Sequence, residues 1–129
     1  MSASRGRVLA VVVVQGLLVA ACGSAPAGDP AAEALAIWGA RCANCHGPGG
    51  AGDGPAGRAT SPPPRDFRDP QWQAQTTDSR IRMAIHYGGA KLGLNPAMAP
   101  NPDLADKFEV TAELVKMIRG FSEVAPAPE

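Results

Sequence analysis

Residues 42–46 read Cys42-Ala43-Asn44-Cys45-His46, two thiols three positions apart with an imidazole directly after the second. Side chains three apart on a helical turn share a face, so both sulfurs reach one edge of a flat ring and the histidine is brought under its metal. C-x-x-C-H is the pattern for covalent haem attachment, in which the sulfurs bond the vinyl groups and the histidine ligates iron. Two other chemistries use the same residue types. A thiol-disulfide C-x-x-C belongs near a β-α-β pattern, whereas here a helical stretch runs into a Gly/Pro loop with no strand signal. A zinc site takes about four ligands, and outside Cys22 the only further thiol or imidazole is His86. One covalent haem c is the reading that uses every residue of the motif.

Upstream, Arg5 and Arg7 precede an apolar run from Val8 to Ala21 broken only by Gln15 and Gly16. The run falls short of the roughly 20 residues of a transmembrane helix, and its layout is that of a cleavable signal peptide, residues 1–21. Val19-Ala20-Ala21-Cys22 resembles the lipobox of bacterial lipoproteins, with Val19 where Leu is commoner. That resemblance implies that Cys22 becomes an acylated first residue, holding the chain on the periplasmic side of a bacterial membrane, since several acyl chains anchor where one is marginal. An ordinary signal with an incidental cysteine is the alternative. Both export the chain to a compartment where disulfides form. Residues 22–29 read as a tether, 30–123 as the folded domain and 124–129 as a disordered tail.

The chain has 129 residues, with two Trp, one Tyr and three Phe against 15 Gly and 13 Pro. A core built from protein alone would be thin, and the apolar face of a haem is expected to complete it. The formal charge is zero, from 12 basic and 12 acidic residues; without Arg5 and Arg7 ten basic residues face twelve acidic ones. A nucleic-acid binder would carry a clustered basic excess, so no nucleic-acid partner is expected.

From about Glu33 to Phe121 the chain resembles a class I monohaem cytochrome c, of the small bacterial type also found as domains of larger oxidases and dehydrogenases. The resemblance rests on C-x-x-C-H followed by Gly47, the turn Gly52-Asp53-Gly54-Pro55, the Ile-x-x-Gly-Gly of Ile85 to Gly89, and the Pro-x-Met-x-Pro of Pro96 to Pro100. It implies an all-α fold of three main helices around one haem, and a hydrogen bond from His46 to the Pro55 carbonyl. The expected sixth iron ligand is Met98, in a loop stiffened by Pro96, Pro100 and Pro102; Met83 and Met117 fall in helical stretches and suit core packing. His86 is the competing ligand, and bis-histidine ligation would lower the potential. Trp72 is a candidate donor to a haem propionate, with Arg65, Arg68 or Arg80 as its ion partner.

Helix signals frame these residues. Asp29-Pro30 is a cap followed by a first-turn proline, opening a helix to about Asn44 with Leu35, Trp38, Cys42 and Cys45 on one face. Asp66 to Ala74 reads as a short helix around Phe67 and Trp72. Thr77-Asp78 opens a helix that stops at Gly88-Gly89. The last opens at Thr111, with Glu113 in its first turn and Leu114, Ile118 and Phe121 at intervals of three and four; the resemblance implies that this helix crosses the first, with Phe121 against Trp38.

The expected function is one-electron transfer between a donor and an acceptor redox protein, with no enzymatic step. Two alternatives stand beside it: a haem catalyst or gas sensor in which Met98 dissociates, for which no acid-base pair is visible beside Met98, and a haem subunit of a larger oxidase or dehydrogenase.

Overall fold

Asp29 and Pro30 open the first helix in the way their residue types require. In the computed structural model, which describes residues 28–122, the Asp29 carboxylate accepts a hydrogen bond from the Ala31 amide at 3.0 Å. Pro30 takes the first turn, where its missing N–H goes unnoticed. The signal segment 1–21, Cys22 with most of the 22–29 tether, and the tail 124–129 lie outside the described residues.

Helix α1 (Pro30–Ile37) runs through a π-helical segment, Trp38–Cys42, into α2 (Ala43–His46). The expected single helix to Asn44 is therefore longer by two residues and carries a widened turn just before the two thiols, the kind of insertion often found beside functional groups. Its inner face also differs from the expected one. Leu35 is 63% exposed, while Ala34, Ile37 and Trp38 are buried. Helix α1 packs mainly against α5 (Phe108–Arg119), and a close helix crossing takes a small side chain such as Ala34 in preference to Leu35.

The short α3 (Pro70–Gln75) begins later than Asp66. Asp66 bonds the Arg68 amide in a turn, and Asp69 caps α3 by accepting from Gln71 and Trp72. Asp69-Pro70 thus repeats the Asp29-Pro30 signal. Helix α4 (Asp78–Tyr87) starts where expected, with the Thr77 hydroxyl accepting from the Arg80 amide, and buries Ile81 and Ile85. Helix α5 opens at Phe108, three residues before Thr111, and has Glu109 in its first turn. No side chain caps it, so there was no cap to read. Thr111 instead lies inside, its hydroxyl bonding the Leu104 carbonyl and the His86 ring.

Leu114 and Ile118 are buried as their spacing predicts, and Phe121, just past the helix end, meets Trp38 at 5.2 Å between ring centroids. Single 3-10 turns at Gly57–Ala59, Ala90–Leu92 and Pro102–Leu104 complete the element set. The described residues contain no strand, and the architecture is all-α, as expected.

A polar pin holds α3, α4 and α5 together. Gln73 is fully buried; its amide donates to the Phe67 and Ile118 carbonyls at 2.7 and 2.9 Å. Its oxygen accepts from Arg119 at 2.7 Å. Arg119 also donates to the Gln73 and Thr76 carbonyls and pairs with Asp78 at 2.8 Å. Every group in the network has a partner, which is the condition under which buried polar contacts stabilise. Arg119→Leu leaves Gln73, Asp78 and two carbonyls short of a donor, and should destabilise the haem-loaded protein by about 3 kcal/mol, read from denaturant unfolding.

Candidate haem-binding site

Helix α2 ends with its last carbonyls unpaired by the helix itself, and the glycine-rich loop supplies the missing donors. The amides of Gly52, Gly54 and Ala56 bond the carbonyls of His46, Cys45 and Asn44 at 2.8, 3.1 and 3.0 Å. Gly54 sits so close that a Cβ there would collide with the Asn44 carbonyl. The loop after the motif therefore locks the end of the helix that carries the motif.

Cys42, Cys45 and His46 line one wall of a cavity of about 460 Å³, within the size range of cofactor pockets. Met98 contributes from the loop that follows α4, and much of the remaining lining is apolar, with Ile37, Trp38, Phe67, Ile85, Leu114 and Ile118 among it. Cys42 and Cys45 form no disulfide with each other. Burial pushes the Cys42 thiol up from its ordinary range, against the pull of Arg41 and with a further push from Cys45. His46 stacks on Phe67 at 4.6 Å and lies 6.2 Å from Trp38. Burial lowers the imidazole below its ordinary value, with a smaller opposing pull from the Arg65 backbone, which favours the neutral ring that metal ligation requires.

His46 Nδ1 is buried without a hydrogen-bond partner, so the bond to the Pro55 carbonyl that the resemblance implies is not formed. Pro55 lies exposed on the turn, whose amides on either side, Gly54 and Ala56, are directed to the helix end.

The Met98 loop is held chiefly by its backbone and two asparagines. Gly89 donates to the Met98 carbonyl at 2.9 Å and Met98 to the Asn95 carbonyl at 3.1 Å. Asn101 bonds the Ile85 carbonyl through both its amide and its side chain, and Asn95 reaches across to the Pro62 carbonyl at 2.8 Å. Sequence reading credited the prolines and missed Asn95 and Asn101; their place beside Pro96 and Pro102, where asparagine side chains commonly close turns, was the available signal.

The competing ligands fall elsewhere. His86 points its Nε2 at the Thr111 hydroxyl, 3.2 Å away, and neither it nor Met83 nor Met117 lines the cavity. Met117 packs against the core. Among the described residues no group of three or more His, Cys, Asp or Glu side chains is arranged to hold a metal ion. A smaller adjoining cavity of about 180 Å³ brings Trp72, Arg65 and Arg80 beside His46 and Met98. Arg68 is not part of it and pairs with Asp66.

The residues fit the group that the motif implies: two thiols, an imidazole and a thioether border one apolar cavity large enough for a flat macrocycle. The family model described as Cytochrome c matches residues 31–115, and the chain belongs to that family. It is a c-type cytochrome domain, whose cofactor is covalent haem c and whose family business is haem-based electron transfer. Comparison with curated proteins and with solved structures returned no match.

Because a Cβ on Gly89 would run into the Asn95 carbonyl, Gly89→Ala should push the methionine loop outward and cost about 2 kcal/mol. Thermal unfolding of the haem-loaded protein measures it, with Gly39→Ala, which meets open space, as the control.

Proposed function

We propose that the chain is a class I monohaem cytochrome c that carries single electrons between redox proteins and performs no enzymatic step. The observation that carries this reading is the meeting of Cys42, Cys45, His46 and Met98 on one cavity. When bound, the haem supplies reversible one-electron reduction. Cys42 and Cys45 would hold the haem covalently, and His46 and Met98 would ligate its iron. With a thioether and an imidazole as its protein ligands, the iron would have a raised potential and suit electron transfer. Phe67 and Trp38 pack around His46 and keep water from it, while Trp72, Arg65 and Arg80 face the smaller cavity, where they would meet the propionates. His86, turned toward α5, is available to neither role.

The chain is exported and tethered to the periplasmic face of a bacterial membrane through acylated Cys22, after loss of residues 1–21. The basic start, apolar run and lipobox-like end of that segment support this reading. No helix of the described residues is long and apolar enough to cross a membrane.

Two measurements test the proposal. The haem-loaded protein should give a low-spin c-type spectrum with a weak near-infrared sulfur-to-iron band that Met98→Ala abolishes. A high-spin wild type, or a band that survives the substitution, would show a different ligand and return the catalyst or sensor to consideration. In a bacterial host, the wild type should sediment with membranes and Cys22→Ser should not; equal distribution of the two removes the lipid anchor.

A further inference from the structure

Arg41 stands in the π-helical segment Trp38–Cys42, directly before the first thiol of the motif. Its Nη1 donates to the Asn101 side-chain oxygen at 3.3 Å and to the two Asp103 carboxylate oxygens at 3.0 and 2.9 Å. Asn101 closes the methionine loop, and Asp103 lies in the 3-10 turn Pro102–Leu104 that follows. Arg41, Met98 and Asn101 all line the larger cavity.

This contact ties the loop to a part of the molecule that its other bonds do not reach. Gly89 and Ile85 fasten the loop to the end of α4, and Asn95 fastens it to the Pro62 carbonyl. Arg41 fastens it to the helix that carries Cys42, Cys45 and His46. It also sets how Asn101 faces. A guanidinium only donates, so the Asn101 oxygen must turn to Arg41, which leaves its amide nitrogen for the Ile85 carbonyl at 3.0 Å. One polar run therefore joins the attachment helix to α4, and it passes through the loop three residues after Met98.

We infer that Arg41 is a positioning residue for the Met98 ligand: through Asn101 and Asp103 it latches the methionine loop shut, and so sets how fast Met98 leaves the iron. This rests on the His46 and Met98 ligation of the electron-carrier reading and adds what keeps the thioether in place. A carrier holds that ligand through each cycle, whereas a catalyst or sensor needs it to leave. The Arg41 and Asp103 side chains are 44% and 50% exposed, and pairs so placed are weak and screened by salt. The latch is therefore light, and it opens more readily as salt rises.

Imidazole is the probe, added in excess to the oxidised haem-loaded protein at about pH 8, where it is mostly uncharged. The Met98 sulfur leaves, an imidazole nitrogen takes its place, and the iron stays ferric. Loss of the near-infrared sulfur-to-iron band times the exchange, and its rate at saturating imidazole is that of loop opening. Arg41→Met should raise this rate about fivefold at low salt. High salt should raise the wild-type rate and leave that of the variant unchanged. Because Arg41 adjoins Cys42, Asp103→Asn serves as a second variant away from the motif; it weakens the same pair and should raise the rate about threefold. Added to Asn101→Ala with Asp103→Asn, Arg41→Met should have less than about a twofold further effect, since its partners are gone. Lys107→Met is the control. It removes another exposed ion pair to α1, with Glu33, outside both cavities, and should match Arg41→Met in denaturant midpoint while leaving the imidazole rate unchanged. A rate within about twofold of wild type for Arg41→Met, or for Asp103→Asn where the first variant attaches no haem, overturns the latch. An equal rise in Lys107→Met overturns it too. A wild type without the sulfur-to-iron band overturns the ligation beneath it.

Discussion

His46 is held by whatever holds Phe67, and most of the domain is engaged in holding Phe67. The two rings stack at 4.6 Å. The Phe67 amide donates to the Gly50 carbonyl at 2.7 Å, which ties it to the loop that closes the end of α2. Its carbonyl accepts from Gln73, which Arg119 in turn grips from the end of α5. The imidazole is thus positioned through a continuous run of contacts from the attachment helix to the last helix. Trp38, Phe121 and Trp72 extend the same aromatic cluster.

The opposite side of the cavity is organised by backbone rather than by packing. The methionine loop has exposed residues on both sides of Met98, and little hydrophobic burial is available to define its path. Hydrogen bonds to the end of α4 and to the 60–64 loop define it instead, and they are short because Gly89 leaves room for them. A rigid aromatic side and a loop seated by hydrogen bonds therefore face each other across one cavity.

Local signals told much of this in advance. Asp29-Pro30 and Thr77 announce helix starts because a capping side chain acts within its own turn, and C-x-x-C-H announces the cofactor because its spacing is local chemistry. Asp69-Pro70 carried the same kind of signal and marks the true start of α3. Helix α5 has no cap, and Thr111, which resembles one in sequence, turned out to be a buried hydroxyl shared by Leu104 and His86.

What the amino-acid sequence determined by itself was the helical class and the covalent haem, set by spacing within a turn or two and by the chemistry of one motif, while the pairing of Trp38 with Phe121 was implied only by the family resemblance. What the tertiary structure decided was which residues share a face and which polar atoms meet. Ala34 rather than Leu35 faces α5, Gln73 and Arg119 bind three helices together, Asn95 and Asn101 seat the methionine loop, and His86 turns away from the cavity. Those outcomes depend on how closely elements approach one another, and residues as far apart as Gln73 and Arg119 carry no local trace of their partnership.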